Sequence, residues 1–574
     1  MDRKIGVYIC YCGGNISDYV DVEKVKEAIS GEPGVAVAKT TMFACSDAAQ
    51  EEMIEDIQSN ELDGLVVASC SPKLHLFTFR AMAERAGLNP YQYVQVNLRE
   101  QDSWAHQHDK GPATEKGIRL VKAGIARCAL TEPLQTMRIE TRPRVLVIGA
   151  GVAGLRAALS LSDMGLVVYV IEKESEVGGW TAKFGPMFPD ERRGTDLIGS
   201  LYDETRKRDN ITVYTNAELV KKGGNVGDFS AVIQVGEKEK ITLNVGAIIV
   251  TTGFDTYRPA EGEFGYGQTG VITLPDFKNL LDNANGSLTF QGRAIKNIAY
   301  VYCVGSRQPQ EKDNANLYCS RYCCTAAVHT ALGVNEKDKS IHQFHLYRDM
   351  RTYGKYEILF TDALTNGSVF IKYDPEDMPT VEGTGEKVSI KVRDLLTHGE
   401  ELEIEVDLLV LVTGMIPRDN KRLNDVLKLP IGTDGFFNEI HPKLRPVETV
   451  IDGVFIAGAS QGPKTLAESV ASSLAAVSKS AALLMKGYVD LEPLIAKIHS
   501  EKCVWCDECM KACTYNAIEK ATVDGKEVAQ IIPALCKGGG ACVPACPQNA
   551  IDLEGYTEEQ VTAMIDSLIE EVAI

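Results

Sequence analysis

The chain of 574 residues has no run of eighteen consecutive apolar residues, so no helix in it is expected to span a membrane. It has no excess of positive charge either. Lysine and arginine total 60 against 79 aspartates and glutamates, a net charge of -19. That balance argues against nucleic acid or an anionic membrane surface as a partner. The opening residues MDRKIGVYIC lack the architecture of a signal peptide, because their apolar run is too short and reads as a strand. The expected location is therefore the cytoplasm. Disulfides are not expected in that reducing compartment, yet there are 16 cysteines. A chain of this length should hold several domains, each with its own core.

The cysteines are grouped. Cys10, Cys12, Cys45 and Cys70 come first, then Cys303, Cys319, Cys323 and Cys324, then a run from Cys503 to Cys546; Cys128 stands apart. Between the first two groups lies VLVIGAGVAG, Val145 to Gly154. A short apolar run reads as a buried strand, Gly149, Gly151 and Gly154 form G-x-G-x-x-G, and Leu155 to Met164 carries a helical pattern. A second apolar run, Val167 to Ile171, ends at Glu172. This is the dinucleotide fingerprint in its strand–turn–helix–strand context. The glycines allow the tight turn, the approach of backbone to pyrophosphate and the packing of helix on strand. The phosphates are expected at the helix N-terminus, beside Val152 and Ala153. Glu172, followed by Lys173, is expected to accept from the ribose hydroxyl.

Further glycine turns follow. Gly178 and Gly179, before Trp180, repeat the backbone-close pattern. Ala247 to Gly253 reads as a buried strand ending in a turn at Thr252 and Gly253, and Leu408 to Gly414 repeats it. A third version runs to Gly458 and Ala459, before a long small-residue helix from Thr465 to Leu484. Residues 143 to 487 resemble, in order and spacing, the flavoprotein disulfide reductases with two dinucleotide domains. The resemblance implies FAD, with the last helix N-terminus directed at the pyrimidine edge of the flavin. The middle departs from that layout. No glycine triplet follows the strand Ile298 to Val304; the turn carries Cys303, and the next helix opens with YCSRYCC. Cys303, Cys319, Cys323 and Cys324 are enough for one [4Fe–4S] cluster, and a redox disulfide of Cys323 with Cys324 is the rival reading. This flavin is not expected to exchange hydride with NAD(P)H on this chain.

The first 135 residues alternate short strands and helices, with Cys10, Cys12, Cys45 and Cys70 at strand ends or in loops. Strand ends on one edge of a parallel sheet converge, so these four could ligate one cluster; scattered buried thiols are the alternative. His75, His106 and His108 are read as surface groups or as supports behind the ligands. Near the other end, Cys503, Cys506, Cys509 and Cys513 give C-x2-C-x2-C-x3-C. Cys536, Cys542 and Cys546 repeat it with Gly539 in place of the second cysteine. In two-cluster ferredoxins the fourth cysteine of each motif serves the other cluster. Cys503, Cys506, Cys509 and Cys546 should therefore hold a complete cube. Cys513, Cys536 and Cys542 should hold a [3Fe–4S] cluster, or a [4Fe–4S] cluster with a non-cysteine ligand. Thr557 starts a capping box, and Val561, Ile565, Leu568 and Val572 form an apolar stripe expected to dock on the chain's own body or on a partner.

CYCGGN, FACSD, CSPKLH, LREQDSW, YCVGSRQPQ and CSRYCC together resemble the A subunit of heterodisulfide reductase, from residue 1 to about 555. The resemblance implies an α/β architecture: a thioredoxin-reductase-like FAD domain with a degenerate second Rossmann domain, an N-terminal α/β cluster domain and a C-terminal two-cluster ferredoxin domain. The expected boundaries are 1–135 for the N-terminal domain and 143–290 for the first part of the FAD domain. The degenerate domain takes 291–405, the second part of the FAD domain 406–487, the ferredoxin-like domain 488–555 and the terminal helix 556–574. It further implies an oxidoreductase subunit with FAD and about four clusters, and electron bifurcation between a two-electron donor, ferredoxin and a disulfide or other acceptor. The implied partners are B- and C-like subunits, ferredoxin, an input module (a hydrogenase, formate dehydrogenase or NADH-oxidising protein) and a second copy of the chain. A non-bifurcating electron-transfer subunit linked to quinone, aromatic-ring or sulfur reduction is the alternative. Asp102 stands where the family pattern has a cysteine, so either the four N-terminal cysteines suffice or Asp102 supplies an oxygen ligand. Lys355, in YRDMRTYGKY, is the expected cation near flavin N5 or N1, with a solvated loop lysine as the plain alternative.

Overall fold

The structure, a computed structural model, describes residues 3–284, 286–312, 314–383 and 385–569. The chain divides into two compact units: Met1–Ile139 with Asp490–Ile574, and Glu140–Val489.

The first unit begins with strands β1 (Ile5–Cys10), β2 (Val35–Thr41), β3 (Gly64–Ser69) and β4 (Tyr93–Asn97), all parallel, in the order β2-β1-β3-β4. β1 and β3 are buried along their whole length, as their Val- and Ile-rich runs demand of a sheet covered on both faces. Helices α1 (Val22–Ile29), α2 (Asp47–Ser59), α3 (Pro72–Arg85) and α4 (Lys110–Ala129) cover it. Asp21, Ser46 and Ser71 cap the first three by accepting from backbone N–H groups. The carboxyl ends of all four strands face the same edge, which is where the N-terminal cysteines fall.

The second unit repeats one plan. Strands β5 (Arg144–Ile148), β6 (Val167–Ile171), β7 (Ile211–Tyr214) and β8 (Ala247–Val250) join Val454–Ile456 in a parallel sheet of five, with helix α5 (Val152–Asp163) after β5. A three-stranded antiparallel sheet, residues 217–245, follows β7. The plan recurs in β9 (Val271–Thr273), β10 (Asn297–Val304), β11 (His342–Tyr347), β12 (Val369–Lys372) and β13 (Leu408–Thr413), a second parallel sheet in the order β9-β13-β10-β11-β12. It too carries a three-stranded antiparallel sheet, residues 380–406. Helix α6 (Cys323–Lys337) follows β10 where a nucleotide-binding helix would begin, but a long thiol-bearing loop separates them. Strand β14 (Val454–Ile456) returns to the first sheet and leads into helix α7 (Leu466–Met485), whose start is a full capping box of Thr465 and Glu468.

The C-terminal part of the first unit pairs β15 (Ala496–Ile498) with β18 (Ile551–Leu553), and β16 (Ile518–Val523) with β17 (Lys526–Ile531), both antiparallel. Helix α8 (Glu558–Ile569) follows and packs on α4. Thr557 and Gln560 form the expected box, each side chain accepting from the other's backbone N–H, at 3.3 and 3.2 Å. The docking face differs from the predicted stripe. Gln560 is buried and donates to Leu130 O at 2.9 Å, with Met564 and Leu568 on the same side, whereas Val561 and Ile565 are exposed. Leu568 is thus shared with the expected stripe, while Gln560 and Met564 take the places of Val561 and Ile565. Val572 lies outside the described residues. Among the described residues no helix is long and apolar enough to cross a membrane.

Candidate flavin and cluster sites

At the carboxyl end of β5 the fingerprint turn opens a cavity of about 270 Å³. Gly149 has φ +105°, and a β-carbon there would lie 2.5 Å from Thr251 O. A β-carbon on Gly154 would lie 1.9 Å from Gly149 O, so helix and strand touch at that point. Gly151 differs: a β-carbon there meets nothing within 4 Å, because that side faces the cavity. Gly151 caps α5 without any side chain, leaving its first N–H groups for an anion. Glu172 is buried and fixed, accepting from Ala150 N at 2.8 Å and Glu174 N at 3.1 Å. Its carboxylate keeps free lone pairs toward the cavity that it lines. Thr252 Oγ1, also lining it, is buried without a hydrogen-bond partner. A cradle of bare backbone, a placed carboxylate and an orphan hydroxyl fit the ADP half of FAD.

Of the residues expected to hold the cofactor, Gly149, Gly151, Val152, Ala153, Glu172 and Lys173 line this cavity, as do Gly178, Gly179, Trp180, Thr252, Gly253 and Ala459. Gly154, Gly414 and Gly458 do not. They are points of close packing, where a β-carbon would meet Gly149 O, Ser320 Oγ at 2.6 Å and Ala153 Cβ at 3.0 Å respectively. Lys355 lies on an exposed one-turn helix, Gly354–Tyr356, and is not part of the lining. Besides Lys173, the cavity is lined by Lys464, next to the start of α7, whose burial pulls it below the usual lysine range against the opposing pull of Glu439 and Glu468. Tyr322, Phe254 and Trp180 also line the cavity, with successive ring centroids 6.4 and 6.1 Å apart. The only sequence signals for Lys464 and Tyr322 are their positions, one beside a helix start and the other inside CSRYCC.

The thiols beside this cavity come from both ends of the loop after β10. A register shift between Val301 and Val304 interrupts the pairing of β10 with β13, and Cys303 sits in it with φ +63°. Cys323 and Cys324 open α6, next in sequence to the cavity residue Tyr322. Cys323 interacts with Cys324, Cys303 and Cys319, so the four are one group, all free thiols. Arg321 N donates to Cys319 Sγ at 3.3 Å. Behind them Tyr302 shares a 2.9 Å hydrogen bond with the buried His345, which stacks between Tyr300 and Phe370. Burial pushes His345 down to about 3, so the ring is neutral at any working pH.

Cys10, Cys12, Cys45 and Cys70 also assemble, Cys10 being influenced by Cys12 and Cys45, and Cys70 by Cys12 and Cys10. Cys12 N and Ala44 N donate to Cys10 Sγ at 3.2 and 3.3 Å, and Arg99 reaches Cys12 Sγ at 3.5 Å. Burial pushes the Cys70 thiol up to about 11. Asp102 is in a π-helical turn, Arg99–Ser103, fully buried, with neither carboxylate oxygen hydrogen-bonded. Its side chain faces α4: a β-carbon on Gly117 would stand 2.9 Å from Asp102 Oδ2, beside Val20 and Val25. An apolar wall of this kind raises the carboxyl to about 6 from 3.8. Below pH 3.8 both folded and unfolded states hold the proton; above pH 6 the folded state bears the whole penalty. Asp102→Asn should therefore stabilise the protein by about 3 kcal/mol well above pH 6 and by nothing below pH 3.8, read from denaturant melts across pH. Unchanged iron in that variant marks a buried acid; loss of iron marks a ligand. His75 is half-buried and His106 exposed, 3.0 Å from Lys116 Nζ. Cys128 is buried in the core, apart from any thiol group.

In the C-terminal module one cavity is lined by Cys503, Cys506, Cys509 and Cys546, and another by Cys513, Cys536, Cys542 and Gly539. The crossed partition of the fourth cysteines is thus present in the geometry. Backbone N–H groups of Ala529, Ala550 and Ala517 donate to Cys503, Cys546 and Cys513 Sγ at 3.3, 3.3 and 3.4 Å. The Gly539 cavity is the roomier, about 220 Å³ against about 10 Å³. Among the described residues no three His, Cys, Asp or Glu side chains close on a single metal ion. Ligands of a polynuclear cluster stand further apart than that, and grouped thiols with N–H···S bonds suit iron–sulfur clusters.

Residues 496–553 match the family described as a 4Fe-4S dicluster domain, and residues 144–185 match an FAD binding domain. The second of the iron-sulfur A subunits of CoB–CoM heterodisulfide reductase in Methanopyrus kandleri is 36% identical over 613 residues, covering 92% of each chain. The A subunit of the H(2):CoB-CoM heterodisulfide,ferredoxin reductase of Methanothermobacter marburgensis is 33% identical over 603 residues, covering 90% of each. The A subunit of the ferredoxin:CoB-CoM heterodisulfide reductase of Methanosarcina mazei is 31% identical and covers 92% of this chain and 76% of that protein. Among solved structures, T. acidophilum thioredoxin reductase covers 60% of this chain with 19% identity and a TM-score of 0.41. With over 30% identity running along nine-tenths of its length, this chain belongs to the family of heterodisulfide reductase A subunits, oxidoreductase components with FAD and iron–sulfur sites.

Proposed function

We propose that this protein parts the electron pair of a two-electron donor between two acceptors. One electron leaves for ferredoxin through the Cys503–Cys546 module, and the other for a disulfide or similar acceptor through the remaining thiol groups. FAD, when bound, supplies the exchange between two-electron and one-electron chemistry, and the clusters carry single electrons. The supporting observation is the group Cys303, Cys319, Cys323 and Cys324, contiguous through Tyr322 with the flavin cavity and standing where a nicotinamide site would otherwise open. Glu172 and the bare N-terminus of α5 anchor the cofactor, and Lys464 brings a half-buried cation to its cavity. The input is a hydrogenase, formate dehydrogenase or NADH-oxidising module. The output passes to B- and C-like subunits, the core being a homodimer working in the cytoplasm. Two of the relatives carry ferredoxin in their names, which supports that branch.

The stoichiometry tests the cofactor basis. Anaerobically purified chain should hold one FAD and about 15 to 16 irons, the content of four clusters. About 8 irons would mean that only the ferredoxin module is loaded, and the bifurcation reading falls. Coupling tests the reaction itself: with its partners, the protein should reduce ferredoxin only while the second acceptor is also present. Ferredoxin reduction that ignores the second acceptor leaves the non-bifurcating alternative.

A further inference from the structure

The three regions that hold thiols differ in the charge around them. In the C-terminal module the largest influences on Cys509 and Cys542 are burial, other thiols and backbone N–H groups, with no cationic side chain among them. Cys70 of the N-terminal group feels Arg99, but Arg99 is itself paired with Glu100 at 2.7 Å. The flavin-domain group is different. Arg348 and Arg307 both pull on Cys303, and Arg351 pulls on Cys324 through its backbone N–H and its charge.

Topology puts these cations there. β10 and β11 are parallel neighbours, so residues just past their carboxyl ends meet: Ser306 and Arg307 after one, Arg348 and Asp349 after the other. Arg348 is only 7% exposed. Its Nη1 donates to Arg307 O at 2.9 Å and its Nη2 to Ser306 O at 3.2 Å, while Nε is buried with no partner. Arg307 Nη2 donates to Asp349 Oδ2 at 2.7 Å, and its Nη1 is likewise buried with no partner. Nε of Arg80 and of Arg127 is also buried without a partner, so what sets this pair apart is that both guanidinium groups bear on the one Cys303 thiol. Asp349 is the counter-charge, and it also feels Lys372 and Arg351. Three guanidinium groups against one carboxylate leave this group of thiols in net positive surroundings.

Adding an electron to a cluster adds one negative charge, which buried cations and N–H donors stabilise. We propose that Arg348 and Arg307 are positioning residues that hold the reduction potential of the cluster ligated by Cys303, Cys319, Cys323 and Cys324 above those of the ferredoxin-module clusters. This rests on the cluster reading of that thiol group. It gives the cysteine regions an order, with the flavin-domain cluster on the oxidising side. The module, where Asp507 lines one thiol cavity and Lys537 the other and no arginine lines either, lies on the reducing side.

The test is an anaerobic redox titration followed by EPR on the full-length, cluster-loaded protein. The flavin-domain signal is assigned by its loss in Cys324→Ser. Arg348→Gln should weaken reduction of that cluster about tenfold, equivalent to about 59 mV for one electron. Arg348→Lys should restore part of the shift, and Asp349→Asn should move the potential upward. The module signals in the same samples should not move. A wild-type flavin-domain potential at or below those of the module overturns the proposal, as does an unmoved potential in both Arg348→Gln and Asp349→Asn. If Arg348→Gln does not load its cluster, the opposite signs expected of Arg307→Gln and Asp349→Asn decide. Should Cys324→Ser lose neither iron nor a signal, the cluster reading itself fails, and the proposal with it.

Discussion

Gly151→Val is expected to give a folded chain that carries its iron but no FAD. The reason is the asymmetry among the three fingerprint glycines. At Gly151 a β-carbon meets nothing within 4 Å, and φ is -77°, so a side chain can start there without straining the backbone. The branches of valine would fill the space through which pyrophosphate reaches the free N–H groups of α5. Losing that approach should weaken FAD by more than about 100-fold, roughly 3 kcal/mol. The measurement is the flavin absorbance per chain after purification, with FAD titrated back into the apoprotein. Gly154→Val is the contrasting variant, because its β-carbon would lie 1.9 Å from Gly149 O and 2.8 Å from Thr251 Oγ1. That clash is with a backbone oxygen held in the fingerprint turn and cannot relax, so Gly154→Val should fail at the level of folding. Normal FAD affinity in Gly151→Val would mean that the phosphates do not pass this turn.

What could be read in the sequence was what is local. The fingerprint strand, turn and helix are recognisable because each glycine answers to a constraint within a few residues. The assignment of Cys546 to the Cys503 cavity follows from a spacing that repeats within one module. The N-terminal thiols converge because a parallel sheet gathers its carboxyl ends on one edge, a rule that needs only the strands. What escaped is set by distances the sequence does not encode. Arg307 and Arg348 are 41 residues apart and meet only because β10 and β11 are neighbours. Lys464 reaches the flavin cavity while Lys355 does not, although both lie close to glycine turns; the difference is which strand end each turn follows. Asp102 stands where the family resemblance raised the expectation of a ligand, yet its side chain faces Gly117 and two valines. The terminal helix keeps its predicted cap and only Leu568 of its predicted face among the described residues, with Gln560 turned inward to the carbonyl of Leu130 at the end of α4.

Gly539→Cys should convert the second site of the ferredoxin module. Gly539 lines the same cavity as Cys513, Cys536 and Cys542, at the step where the repeated motif has its missing cysteine. A β-carbon there would meet only Tyr515 Cε2, at 3.7 Å, an ordinary contact. Unlike its neighbours Gly538 and Gly540, at φ +63° and +70°, Gly539 is not held in the left-handed region, so a cysteine costs little there. The thiol would enter a cavity of about 220 Å³, wide enough to take it without displacing the other three. The variant should gain about one iron per chain, and the EPR signal of an oxidised three-iron cluster should disappear in favour of a four-iron signal seen on reduction. Cys542→Ser is the complementary change and should empty the site while leaving the cluster of Cys503, Cys506, Cys509 and Cys546 intact, since the two cavities share no thiol. Unchanged iron and an unchanged spectrum in Gly539→Cys would mean that a non-cysteine ligand already completes a four-iron cluster in the native chain. The site would then resemble its neighbour in nuclearity while differing in one ligand. Wild-type protein would show no three-iron signal to begin with, so the two spectra separate a missing iron from a substituted ligand.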